Sequence, residues 1–208
     1  MIGSVPVSIA GAALSVFFLI GCGSGETDRD GDRRLLRRLT CQLRSDKIEE
    51  VRAATLSVTE EGIEPLFPVL FDNAFHRDPR IRFITVSAAA AAGDRAFAPV
   101  FLNALADSNS LIRTRALKGL AESEYLEAAL PISDCLKDPS RQVRLGATAA
   151  LGRLKALEGI PPLLERWRAS GNTLEEATAW KSLREISGID LPREISLWTR
   201  WWEPVREP

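Results

Sequence analysis

RQVRLGATAALGRL, residues 141 to 154, places apolar side chains at Val143, Ala147, Ala150, Leu151 and Leu154, offsets 0, 4, 7, 8 and 11. That spacing is one stripe along an α-helix. The stripe is poor in large side chains, and three upstream stretches resemble it: EEVRAATLSVTEEG, PRIRFITVSAAAAAG and SLIRTRALKGLAES. Their apolar–Arg pairs, Val51-Arg52, Ile81-Arg82, Ile112-Arg113 and Val143-Arg144, are separated by 30, 31 and 31 residues. Ile81, Thr85, Ala88, Ala89 and Ala92 repeat all five offsets; Ile112, Ala116, Gly119 and Leu120 repeat four; Val51, Thr55, Val58 and Thr59 do so more weakly.

Second helices are expected between these: IEPLFPVLFD, FAPVFLNALAD, AALPISDCLKD and GIPPLLERW. Each has a proline near its start, where the missing N–H costs little. The unit is helix, turn, helix, turn in about 31 residues. A unit this short cannot bury its own apolar faces and must stack on copies of itself. Stacked helices approach closely where their facing residues are small, which accounts for the Ala and Gly positions, the run Ala88 to Ala92 above all. The fold class is therefore all-α, an α-solenoid of four to five helix pairs over residues 33–187.

Polar residues repeat as well. Asp46, Asp107 and Asp138 each lie six residues before a repeat arginine. Such an aspartate can cap the first helix, and Arg52, Arg82, Arg113 and Arg144 can bond it or its neighbour in the next layer, forming a structural ladder. His76 occupies the equivalent place in the second repeat, with Asp78 displaced by two, and reads as a turn residue at an irregular junction.

The pattern D-x-x-x-x-[VI]-R-x-x-[AG], Asp107 through Ala116 and Asp138 through Ala147, resembles the HEAT repeat family, in particular its short bacterial, phycobilisome-lyase-like type. The resemblance implies a solenoid that recognises macromolecules along an extended surface, and it implies no single activity.

The chain opens on an apolar segment, Val5 to Ile20, with no charged side chain before Glu26. It is short for a membrane-spanning helix and suits an export signal. Leu19-Ile20-Gly21-Cys22 resembles the lipobox of bacterial lipoproteins, which implies residues 1–21 as a cleaved signal and Cys22 as the acylated N-terminus. The segment departs from that pattern in carrying no Lys or Arg at its start; an uncleaved anchor or a plain signal are the other readings. Residues 22–32, with GSGETDRDGD, have the composition of a flexible tether. The expected location is an exported, membrane-anchored lipoprotein on the periplasmic or cell-surface side. Cys41 and Cys135, 94 residues apart, are expected as buried free thiols.

The ends of the stack are special. Leu35, Leu36, Leu39 and Leu43 share one helix face, crowded by Arg33, Arg34, Arg37, Arg38 and Arg44. A capping helix with snorkelling arginines and a contact with anionic lipid head groups are both open readings. Leu174 is in step with Val143, but Lys181 and Ser182 then fall at apolar positions; a shifted frame gives Ala177, Trp180, Leu183 and Ile186. Residues 188–208 form a Trp-rich tail in which Trp198, Trp201 and Trp202 read as a lid or as an exposed binding patch.

Function is expected to be that of a scaffold or adaptor holding a partner protein along the second helices. Asp72, Asn73, Asn103, Asp134, Lys137, Glu165, Arg166 and Arg168 are the candidate exposed positions by helical phase. The alternative, an enzyme-like cofactor-attachment factor of the phycobilin lyase type, comes from the family resemblance only. The sequence has one histidine, no phosphate loop, no nucleophile motif and no metal-ligand spacing, so no catalytic residue, metal, cofactor or small-molecule substrate is expected. Glu49-Glu50, Glu60-Glu61 and Glu175-Glu176 read as solvated pairs. A net charge of −1 and an isoelectric point near 6.0 oppose nucleic-acid binding. A monomer is expected.

Overall fold

The computed structural model describes residues 29–205. The export-signal reading and Cys22 lie outside the described residues. The chain divides into two units, residues 1–35 and residues 36–208, and the solenoid lies in the second.

Among the described residues there are eleven α-helices and no strand. They are α1 (Arg29–Leu43), α2 (Ile48–Glu60), α3 (Phe67–Ala74), α4 (Pro79–Ala92), α5 (Ala98–Ala104) and α6 (Ser110–Glu122). Then come α7 (Ala129–Asp134), α8 (Arg141–Leu154), α9 (Ile160–Ala169), α10 (Thr173–Ser187) and α11 (Ile195–Val205). The even-numbered helices from α2 to α10 pack in sequence, each on the next, and the short odd-numbered helices pack beside them. This is an α-solenoid of five helix pairs, α2–α3 through α10–α11.

The stripe of small residues is the surface along which layers meet. Val143, Ala147, Ala150 and Leu151 are buried, as are Ile112, Ala116, Gly119 and Leu120, whereas Ala92 is exposed at the end of α4. Gly119 shows how close the packing is: a Cβ there would come within 2.6 Å of the Phe101 ring. Each odd-numbered helix from α3 to α9 is entered through a single 3₁₀ turn, such as Glu64–Leu66 or Arg95–Phe97. Its inner rows pair large with small side chains: Phe67, Ala98, Ala129 and Ile160 in one, Leu66, Phe97, Ala128 and Gly159 in the next. Each first helix from α2 to α8 is followed by a left-handed residue, Gly62, Gly93, Glu124 or Lys155, again 31 apart. Glycine takes that conformation without steric cost.

Three expectations are corrected. The register does not fail at α10: with one residue inserted, Glu175, Ala179, Ser182, Leu183 and Ile186 reproduce the stripe at 0, 4, 7, 8 and 11, and all five are buried. Leu174, 31 residues after Val143, is exposed, and Ala177 and Trp180 of the shifted frame are only half-buried. Cys41 is exposed, because burial of Leu39 and Leu43 turns the opposite side of α1 to solvent; Cys135 is buried and both thiols are free. Helix α1 begins at Arg29, inside the stretch read as tether, with Asp30 and Asp32 in its first turn where the helix dipole favours acids.

Candidate functional site

The recurring arginine and aspartate positions of the repeat form cross-layer rungs. Arg82 grips Asp107 with Nε to Oδ2 at 2.7 Å and Nη2 to Oδ1 at 3.0 Å. Arg113 grips Asp138 in the same way, at 2.8 Å for both bonds. The third guanidinium nitrogen points back into its own layer: Arg82 Nη1 donates to His76 O, Arg113 Nη1 to Asp107 O and Arg144 Nη1 to Asp138 O, at 2.9, 2.8 and 2.9 Å. The aspartates are not the helix caps. They stand two residues ahead, accepting from Asn109 N at 2.8 Å and Ser140 N at 2.7 Å, while the caps themselves are Asn109 and Ser140.

His76 does half of the same work. Its Nδ1 accepts from Asp78 N at 3.0 Å, as Asp107 accepts from Asn109. An imidazole has no second acceptor directed at the arginine below, so the first rung is missing. Arg52 is exposed and pairs instead with Glu49 on its own helix, 3.7 Å away. Asp46 is also exposed. The turn before α2 uses Ser45, which accepts from Lys47 N and donates to Glu50. Asp46 and Arg52 are therefore outside the ladder.

At the far end Ser170 stands where the next aspartate would be. Glu175 takes over: Arg144 Nη2 donates to its Oε1 at 2.8 Å, and Arg166 donates through Nε and Nη2 to its Oε2. Arg141 lies 3.9 Å from the same carboxylate. Glu175 is thus buried and paired rather than solvated, and Arg166 is committed to it rather than free to bind. Burial alone pushes the Glu175 carboxyl up, but the Arg144 and Arg166 guanidinia more than offset it and hold it below the ordinary glutamate value.

Two further candidates move inward. Asn73 is buried and its side-chain amide donates to Leu43 O at 2.9 Å, closing the end of α1. Trp198 is fully buried, its indole N–H donating to Pro192 O at 3.0 Å, so it is a lid residue and not part of a surface patch. Trp201 and Trp202 are half-buried beside it, with Trp201 edge-on to Trp198. Cys135 is pushed up to about 11 by burial and by Asp138 and Asp134, which leaves an unreactive thiol. Among the described residues no group of three or more His, Cys, Asp and Glu could hold a metal ion.

What remains exposed is ordered. Pro68, Pro99, Leu130 and Pro161 form one row on the outer side of α3, α5, α7 and α9, at steps of 31. Asp72, Asn103, Asp134 and Glu165 form the second, and Phe75, Ala106, Lys137 and Arg168 the third. Leu130 is 69% exposed and Leu157, one turn before Pro161, is 58% exposed. A shallow depression of about 340 Å³ lies between α5 and α7, bounded by Leu102, Leu105, Pro131 and Asp134. No ion pair forms at Asp72, Asp134, Lys137 or Glu165 among the described residues, although the outer side of the first helices carries Arg153–Glu122 and Lys181–Glu185. Leu130 is hidden in the sequence because it sits beside buried apolar residues; only the 31-residue alignment with Pro68, Pro99 and Pro161 separates it, whereas Leu157 aligns with exposed Leu126.

Short helix pairs locked by Arg–Asp rungs define the class, a helical-repeat solenoid. Residues 98–184, from α5 into α10, match the family model described as HEAT repeats. The crystal structure of an engineered protein from the Northeast Structural Genomics Consortium superposes with a TM-score of 0.55 over 73% of this chain and 78% of that one, at 17% identity. At that identity the likeness speaks for the fold alone. No curated protein matches the chain.

Proposed function

We propose that the chain is a membrane-tethered scaffold, lipidated at Cys22, that docks a partner protein across the outer side of α3, α5, α7 and α9. The observation that carries the reading is the triple row: exposed Leu130 and Pro side chains, then carboxylates without ion-pair partners, recurring at one interval on a rigid support. Unpaired charges beside exposed leucines are the makings of an interface core with a polar rim. The chemistry-bearing side chains favour this reading over cofactor attachment, since His76 and Cys135 are engaged in the turn and the core.

The test is retention of a partner from solubilised membranes by the wild-type chain and by Leu130→Asp/Leu157→Asp. Both leucines are largely in water, so the melting curve stays within about 0.5 kcal/mol of wild type. Loss of a specific protein with folding intact supports the docking face; retention of that protein places docking elsewhere. Cys22→Ser, in parallel, moves the chain to the soluble fraction if the lipid is the anchor, and unchanged fractionation rejects it.

A further inference from the structure

We infer that the outer side of α1 rests on an anionic lipid surface, with Arg37, Arg38 and Arg44 setting how the solenoid stands on the membrane. This rests on the lipid-anchored reading above and adds an orientation to it.

Many arginines of the stack have carboxylate partners: Arg52 with Glu49, Arg80 with Asp78, Arg95 with Glu127, Arg153 with Glu122, Arg184 with Asp190, besides the rungs; Arg115 instead lies over the Phe83 ring, Arg168 donates to Thr199, and Arg77 stands singly in a turn. Residues 36–44, LRRLTCQLR, contain no carboxylate. Among the described residues none lies at ion-pairing distance from Arg37, Arg38 or Arg44, and all three are exposed. Their orientation is fixed from the other side. Leu39 and Leu43 are buried and Asn73 holds the Leu43 carbonyl, which turns the arginine side of α1 away from the stack. Arg37, Cys41 and Arg44 follow one another at helical spacing on the outward face, with Arg38 beside them.

Position supplies the choice of ligand. Cys22 precedes the start of α1 by seven residues, which even at full extension reach only about 25 Å. A lipid at Cys22 therefore keeps α1 close to head groups, where unscreened cations act over about 10 Å. Each juxtamembrane arginine strengthens attraction to an anionic leaflet by about fivefold, and three by about 100-fold. A soluble polyanion gains no such proximity, and it meets a chain of net charge −1 with acidic residues on its second-helix face.

The exposed Cys41 thiol lies on the proposed contact face and reports on it, while buried Cys135 serves as an internal reference. The full chain is reconstituted in vesicles of phosphatidylcholine alone and of phosphatidylcholine with phosphatidylglycerol, and labelling by a charged, water-soluble maleimide is followed peptide by peptide. The expected result is at least tenfold slower labelling of Cys41 in the anionic vesicles. High salt or Arg37→Gln/Arg38→Gln/Arg44→Gln restores the rate, with an unchanged melting curve. Equal rates in both vesicles overturn the proposal while leaving the anchor intact. Protection of Cys41 by a soluble polyanion but not by anionic vesicles overturns it too. Failure of the chain to float with either vesicle removes the anchored reading and the orientation with it. Labelling of Cys22 reports on the lipid separately, because an acylated sulfur does not react.

Discussion

Asp138 serves two layers with one side chain. Its Oδ1 accepts the Ser140 N–H that shapes the turn before α8, while both oxygens receive Arg113 from the layer below. Burial pushes the carboxyl up, but the Arg113 guanidinium and the Ser140 N–H outweigh it, and the net effect holds Asp138 below the usual aspartate range. Asp107 is held down in the same way by Arg82 and Asn109 against its own burial. A carboxyl lowered on folding stabilises the fold fully above its unfolded value, and that stabilisation is lost as pH falls through the folded value. Asp138→Asn keeps the acceptor for Ser140 but removes the charge. It lowers stability at pH 7 by about 2–3 kcal/mol, a drop of several degrees in Tm. The gap to wild type narrows as pH falls below the ordinary aspartate value of 3.8, where the wild-type charge also disappears. A gap that stays constant from pH 7 to acid would show that the rung contributes shape and not charge. The rung positions were legible because Asp and Arg recur at one spacing. Glu175 was not, since a charged residue at an apolar position, one residue late, looks like the end of the pattern.

Among the elements, α6 shows what the small residues are for. Gly119 faces Phe101 of α5, and the ring is fully buried with nowhere to retreat. Alanine improves helix propensity over glycine by about 1 kcal/mol, which on an exposed helix would decide the outcome. Here a Cβ would lie 2.6 Å from the ring, and overpacking of a close-packed core costs about 1–3 kcal/mol. Overpacking wins, and Gly119→Ala lowers the Tm by a few degrees; a rise would mean that α5 and α6 slide apart at no cost. The helices themselves were readable from period and stripe. The faces of the shortest ones were not: Asn73 and Arg166 stand one residue from the exposed row of Asp72, Asn103, Asp134 and Glu165, and a single residue turns a side chain by about 100° on a helix. Both point inward, to Leu43 O and to Glu175.

At the scale of the whole molecule, each layer touches only its neighbours, so stability is a sum of repeats and interfaces rather than the property of one shared core. The ends are then the weak points, and α11 is the cover of one end. It packs on α9 and delivers Trp198 into full burial. The tryptophan spacing in the sequence pointed to this helix, but which ring is buried depends on the turn at Pro192, whose carbonyl receives the Trp198 N–H. Truncating a buried tryptophan to alanine costs about 3–5 kcal/mol. In a globular domain such a loss weakens every element together. In a stack it is felt where it is made: Trp198→Ala loosens α11, then α9 and α10, and leaves α2 and α4 as protected as before. Amide hydrogen exchange followed by peptide distinguishes the two. Faster exchange confined to residues 160–187 marks a one-dimensional array, whereas equal loss of protection in residues 48–60 would mean that the repeats fold as a single cooperative body and that the layer-by-layer account of this chain is wrong.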